Sequence, residues 1–250
     1  MIRAFALLAA LGLAAPAQAE YRYADGDAKQ AYVESNLLGI LYHELGHALI
    51  DILDLPIFGQ EEDAADVLSV FLLDAFYDEQ DAVQLAYDTA FGFLGEVDQR
   101  GEREPAYWDV HGPDLQRYYN LVCIFYGADP EAREDVAQEL GLPEDRAEYC
   151  DFEYDQAAGS WGAVLDEIAH DTGNGSFQLG DVDVTTDGGD LTLLIVETEI
   201  EALNEEFRLP VPLTISVVPC GMANAFYDPE YREIVMCTEF ADDLAKWAPL

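Results

Sequence analysis

Positive charge is scarce in this sequence. Lysine and arginine together number 11, against 51 aspartate and glutamate residues, so the 250-residue chain has a formal net charge of -40. A surface of this sign repels phosphate backbones and anionic lipids, which argues against a nucleic-acid-binding or membrane-surface protein. The simplest consequence of the acidity is solubility, and an acidic partner-binding role is the alternative.

Long apolar runs are also missing beyond the N-terminus, since no later stretch reaches the roughly 18 apolar residues of a membrane-spanning helix. Residues 1–19 combine a basic Arg3, an apolar run over residues 4–15 and the triplet Ala17-Gln18-Ala19. This pattern is typical of a secretory signal peptide that is cleaved after Ala19, with an uncleaved anchor as the alternative. We therefore expect an exported protein, periplasmic or extracellular.

Cysteine is limited to four residues, and none of them has the C-x-x-C spacing of a cysteine zinc site. In an exported chain, four cysteines predict two disulfides, for which three connectivities are possible. We favour Cys123 with Cys150, on neighbouring helical segments, and Cys220 with Cys237, which bracket a predicted hairpin.

Histidine is equally rare, with four residues in the chain, yet two of them stand in one H-E-x-x-H motif, His43 to His47. The apolar residues around it recur at three- and four-residue steps, which predicts a largely buried helix. Residues four apart share a helix face, so His43 and His47 can offer two ring nitrogens to one metal ion, with Glu44 beside it. The alternative without a metal treats both histidines as ordinary helix residues bonded to carboxylates.

A third ligand is expected from the next helix, which opens with Glu61-Glu62-Asp63 and runs to Phe76. Two histidines with one glutamate form a known catalytic zinc set, and Glu62 can complete it. Asp51 and Asp54 compete, but a third ligand on the first helix is carried away from His43 by the helical phase. The metzincin arrangement is excluded, because no Gly and no His follow His47 at the required spacings.

These residues resemble the gluzincin metallopeptidases, the thermolysin-like group in which H-E-x-x-H is joined by a glutamate from the next helix. The chain is most similar to an uncharacterised bacterial metallopeptidase family, over most of its length after residue 19. The most specific stretches are residues 43–47, 61–66, 111–123 and 224–239. The resemblance implies that Asp66, one turn after Glu62, orients His43.

Two further residues are candidates for stabilising an oxyanion, as a His or Tyr does in many exported gluzincins. His111 precedes a predicted helix, and its alternative role is capping or packing. Tyr227 lies in a predicted hairpin, and its alternative role is an aromatic of the sheet core. Metallopeptidases commonly hold an extended substrate against an edge strand, and the hairpin could supply one, although here it follows the motif helix in sequence.

We expect an α+β fold: a mainly helical zincin-like domain with a small, largely C-terminal antiparallel sheet. Residues 20–250 are predicted to form one domain, helical over 20–170 and strand-rich over 171–250. Residues 191–198 and 213–218 are predicted strands, and residues 224–237 a hairpin.

The predicted function is an exported zinc peptidase that acts on peptide or protein substrates. Zinc on His43, His47 and Glu62 would lower the pKa of a water in the fourth position and polarise the scissile carbonyl. Glu44 would take the proton as general base and pass it to the leaving amine. The alternative is an exported binding protein with a structural or vestigial zinc site. Substrate, oligomeric state and metal identity beyond the ligand type are not predicted.

Overall fold

A computed structural model describes residues 27–170 and 174–248 of the chain. The predicted signal peptide, residues 1–19, lies outside the described residues. Within them the helices are α1 (Asp27–Ile52), α2 (Glu61–Phe76), α3 (Glu79–Arg100), α4 (Asp114–Ala128), α5 (Glu134–Glu139), α6 (Glu144–Ala147), α7 (Cys150–Ile168), α8 (Asp187–Glu206) and α9 (Glu239–Trp247). The strands are β1 (Phe177–Val182), β2 (Leu213–Val218), β3 (Ala225–Asp228) and β4 (Glu233–Cys237). The fold is α+β, as predicted.

Helix α1 is the centre of the molecule. Apolar side chains are buried all around it, among them Tyr32, Leu37, Tyr42 and Leu45. A helix that is apolar on every side has to be enclosed by other elements. Helix α1 packs against α2, α3, α8 and α9 and against strands β3 and β4. The two histidines of the motif are therefore held on the most enclosed helix of the described chain.

The sheet has the strand order β1-β2-β4-β3. Strands β1 and β2 are parallel, β2 and β4 are parallel, and only the pair β3 and β4 is antiparallel. The prediction of an antiparallel sheet is therefore wrong for most of it, whereas the hairpin of β3 and β4 is confirmed. Strand β3 forms one edge of the sheet and lies beside α1.

The predicted strand at residues 191–198 is wrong, since this run lies within helix α8, and this error hid the parallel pair of β1 and β2. The buried α8 residues Thr192, Val196, Glu199 and Leu203 recur at steps of three and four residues. At the helix start, the Thr186 hydroxyl accepts a hydrogen bond from the Gly189 N–H. Parallel strands need a long crossover, and α8 is the crossover between β1 and β2. A short apolar run does not by itself distinguish a strand from a buried helix.

The described residues contain two disulfides, and their pairing is the one favoured from the sequence. Cys123–Cys150 joins α4 to the first turn of α7, and Cys220–Cys237 joins the segment after β2 to the end of β4. In the part of the chain that the structure describes, no helix is long and apolar enough to cross a membrane.

Candidate metal centre

Helix α1 brings His43 and His47 together, one turn apart on the same face. Their Nε2 atoms lie 3.2 Å from each other, with the rings edge to face. His43 is buried and His47 is partly buried. The four-residue spacing of the motif produces this convergence, as the sequence predicted.

Glu62 reaches the same point from the first turn of α2. Its Oε2 atom lies 3.2 Å from the Nε2 atoms of both His43 and His47. Among the described residues, these three side chains form the group whose donor atoms could share one metal ion. Asp51 is not in this group, and its Oδ2 accepts a hydrogen bond of 2.7 Å from the Tyr227 hydroxyl. Asp54 follows the end of α1, with a positive φ of 52°.

The geometry of the three donor atoms fits a small cation. They form a nearly equilateral triangle with sides of 3.2 Å. Tetrahedral zinc with metal–ligand bonds of about 2.0–2.1 Å has ligand–ligand edges of about 3.3–3.4 Å. If both Nε2 atoms carried a proton that pointed at Glu62 Oε2, the two N–H groups, 3.2 Å apart, would repel each other. A cation bound between the three atoms would replace these protons. The donor set is also one that zinc prefers.

The electrostatics of the site favour positive charge. Burial lowers the pKa of His43, but the carboxylates of Asp66 and Glu62 outweigh burial and raise the pKa to about 9. Burial raises the pKa of Glu62, but contacts with His111, His43 and His47 lower it well below its usual value. The ionised carboxylate suits a cation, whereas the His43 ring has to give up its proton before it can bind a metal, so metal binding at this site releases a proton.

Carboxylates also hold the far side of each ring. His43 Nδ1 lies 2.8 Å from Asp66 Oδ1. This contact does not have hydrogen-bond geometry, so Asp66 faces the buried Nδ1 atom as a neighbouring charge. His47 Nδ1 lies 2.8 Å from Glu61 Oε1. Partners of this kind fix the ring orientation and tautomer of a metal ligand.

Glu61 was not assigned a role from the sequence, although it directly precedes Glu62. The second residue that sequence reasoning missed is Arg117, which donates two hydrogen bonds to Asp66. The sequence did contain a sign of this role. Arg117 is one of few basic residues in a very acidic chain and lies on a mostly apolar helix, which makes it a candidate for a buried ion pair.

Glu44 is a buried carboxylate next to the metal triangle, with 6% of its surface exposed. Burial raises its pKa above the usual value, although the charges of His43 and His47 and a hydrogen bond from the Tyr227 backbone N–H lower it in part. A carboxylate with a raised pKa is a better proton acceptor near neutral pH. Its position and chemistry suit a general base.

His111 lies on the loop before α4, on the solvent side of the triangle. Its Nε2 atom is 3.0 Å from Glu62 Oε2, and its ring lies roughly parallel to that of His43, with 6.3 Å between centroids. His111 is nevertheless outside the group of three donors. Tyr227, the other oxyanion candidate, directs its hydroxyl to Asp51 and its backbone N–H to Glu44.

The arrangement supplies three ligands among the described residues, a buried carboxylate and an imidazole at the rim. A catalytic zinc site keeps one coordination position free of protein ligands, and three ligands leave such a position.

A sequence model of the family DUF4344, whose description is "Putative metallopeptidase", matches residues 12–165 and 192–248, which is well over half of the chain. The matched ranges include His43, His47 and Glu62 as well as His111 and Tyr227. No curated protein and no solved structure matches the chain.

Proposed function

Since the chain belongs to this metallopeptidase family, we propose that it is an exported zinc-dependent peptidase that hydrolyses peptide bonds in peptides or proteins. The proposed ligands are His43, His47 and Glu62, which is the ligand set of the gluzincin group. The observation that carries the proposal is the triangle of donor atoms, each 3.2 Å from the other two.

The chain's own residues have distinct roles in the proposed reaction. A zinc ion bound there would supply Lewis-acid chemistry, by polarising the scissile carbonyl and making a water molecule more acidic. Glu44 accepts the proton of the attacking water and passes it to the leaving amine. Asp66 holds the His43 ring and Glu61 holds the His47 ring, each through a contact with the Nδ1 atom of that ring.

His111 is the stronger candidate for the oxyanion donor. Its Nε2 faces the site and lies within hydrogen-bond distance of Glu62, whereas the Tyr227 hydroxyl is already bonded to Asp51. A donor of this kind stabilises negative charge on the carbonyl oxygen as it develops.

Strand β3 supports the proposed mode of substrate binding. It is an edge strand, and the backbone N–H of its Tyr227 bonds to Glu44, which puts this edge beside the proposed base. An extended peptide that pairs with an edge strand gains main-chain hydrogen bonds. We propose that the scissile segment lies along β3, even though this strand follows the motif helix in sequence.

Export and a single catalytic unit are further parts of the proposal. Two disulfides are compatible with an oxidising compartment. Helix α1 packs on helices before residue 170 and on strands after it, which favours residues 20–250 acting as one unit.

A closed structural zinc site, the alternative, requires a fourth protein ligand. His111 is the nearest candidate, and it stands outside the group of donor atoms that lie within 4.8 Å of one another. No observation on the described residues favours this alternative over the peptidase.

The proposal is tested by metal analysis of the mature protein and by hydrolysis of a peptide library. Glu44→Gln should abolish hydrolysis while one equivalent of zinc stays bound. Glu34→Gln is the matched control, because Glu34 lies on the same helix, about 15 Å along the axis from Glu44. Unchanged hydrolysis by Glu44→Gln would remove Glu44 from the mechanism, and wild-type protein without bound metal would contradict the proposal.

A further inference from the structure

Arg117 is a buried cation directly behind the proposed metal centre. It lies in the first turns of α4, and its side chain is 10% exposed. Its Nε donates to Asp66 Oδ2 and its terminal N–H to Asp66 Oδ1, each over 2.7 Å. Both oxygens of Asp66 are therefore held by one guanidinium.

The surroundings of Arg117 fix the guanidinium in place. Its central carbon lies 4.6 Å from the centre of the Phe93 ring, in a cation–π contact. Glu96, on the same helix as Phe93, adds a second negative charge nearby. Cavities of about 130 Å³ and about 60 Å³ are each lined by both Arg117 and Asp66.

A carboxylate whose two oxygens both accept hydrogen bonds from one guanidinium has a fixed plane, whereas a carboxylate bonded at a single oxygen can rotate. Asp66 Oδ1 is also the atom that lies 2.8 Å from His43 Nδ1. The plane that Arg117 imposes on Asp66 therefore decides where the partner of the His43 ring lies. Three side chains from three helices, α4, α2 and α1, form one chain of contacts that ends at a proposed metal ligand.

We propose that Arg117 is a positioning residue for the metal site, which acts on His43 only through the carboxylate of Asp66. This inference rests on the proposed metal site and extends it by one layer of residues. Loss of an orienting partner of a metal ligand typically lowers metal affinity about 10–100-fold. Arg117→Gln should produce a loss in this range.

The test measures zinc affinity directly, by competition with a chelator, in wild-type protein, Arg117→Gln, Asp66→Asn and the double variant. If Arg117 acts only through Asp66, Arg117→Gln should lower affinity in the wild-type background and have no further effect in the Asp66→Asn background. Arg146→Gln is the matched control, because Arg146 makes a similar two-bond pair with Glu153 and does not contact Asp66. It should bind zinc as the wild type does.

Arg117→Lys keeps the charge but cannot hold both oxygens in the same way, so it should show a smaller loss than Arg117→Gln. Circular dichroism and thermal unfolding show whether Arg117→Gln folds. If it does not, the zinc affinity of Arg117→Lys is used for the test instead. Wild-type affinity in a folded Arg117 variant, or equal losses in both backgrounds, overturns the inference and leaves the proposed function standing. Wild-type protein that binds no zinc overturns both.

Discussion

Gly46 of helix α1 packs directly against Ala65 of helix α2. A Cβ atom at position 46 would lie 2.8 Å from the Ala65 Cα and 3.0 Å from its Cβ. Gly46 stands between Glu44 and His47, and Ala65 lies one turn after Glu62. The close contact of the two helices is therefore part of what brings Glu62 within reach of both histidines.

Gly46→Ala should separate the two helices, because the added Cβ meets the Ala65 backbone and its Cβ, which cannot move without the helix that carries them. Overpacking costs roughly 1–3 kcal/mol, against a gain of up to about 1 kcal/mol from helix propensity. We expect a net loss of stability on the order of 1 kcal/mol, together with a fall in zinc affinity of about tenfold or more, comparable to the loss of an orienting partner.

The control for this change is Gly159→Ala, since Gly159 is exposed in α7 and an added Cβ there meets nothing within 4 Å. That variant should gain about 0.5–1 kcal/mol in urea unfolding without a change in zinc affinity. Equal behaviour of the two variants would refute the role given to the contact between Gly46 and Ala65.

The identity of the third ligand is tested by Glu62→Ala against Asp51→Asn. Glu62→Ala removes one of the three donors and should lower zinc affinity by more than the about 10–100-fold expected for an orienting partner. Asp51→Asn should leave affinity unchanged, because the Asp51 carboxylate is bonded to the Tyr227 hydroxyl. Isothermal titration of the metal-free proteins measures both, and the opposite ranking would make Asp51 the ligand.

The two oxyanion candidates are separated by kinetics. His111→Gln should lower kcat by on the order of 10²-fold, the usual effect of losing one oxyanion donor, while zinc remains bound. Tyr227→Phe should retain most of the activity, since it removes a hydroxyl whose partner is Asp51. A large loss in Tyr227→Phe and none in His111→Gln would exchange the two assignments.

The buried carboxyl group of Glu199 should make the free energy of unfolding depend on pH. It is buried on α8, where it accepts hydrogen bonds from the hydroxyls of Tyr42 and Tyr77. Burial raises its pKa above 4.5, although the two hydroxyls oppose this in part. Because the pKa is higher in the folded than in the unfolded state, the stabilisation is complete below pH 4.5 and is lost as the pH rises through the folded pKa.

We therefore expect wild type to lose stability relative to Glu199→Gln as the pH rises from 4.5 towards neutrality. Each unit of the pKa difference corresponds to about 1.4 kcal/mol. Urea unfolding of both proteins over this range measures the difference, and a difference that is constant with pH would show that Glu199 does not titrate as described.

The sequence indicated which side chains lie together where the residue spacing that a metal site requires is also the spacing of the local secondary structure. The four-residue step of His43 and His47 is a property of any helix, so it placed both ring nitrogens on one face without knowledge of the fold. The acidic start of α2 likewise marked Glu62. The pairing of Cys220 with Cys237 followed from a hairpin that could be recognised locally.

Other parts of the molecule depend on contacts between distant segments. Arg117 follows Asp66 by 51 residues, and no local pattern links them. The run from Leu191 to Val196 has the apolar composition of a strand, and its helical state became evident only with the parallel strands that α8 connects. The missed helix accounts for the parallel pair of β1 and β2, whereas β2 and β4 are parallel because β3, which lies between them in sequence, pairs on the outer side of β4.

The central claim concerns the coordination of the ion, and the most direct measurement is a crystal structure of the mature protein with zinc bound. The account predicts His43 Nε2, His47 Nε2 and Glu62 Oε2 at about 2.0–2.2 Å from the ion, with solvent in the fourth position. A fourth protein ligand such as His111, or a Glu62 carboxylate that stays away from the ion, would contradict it.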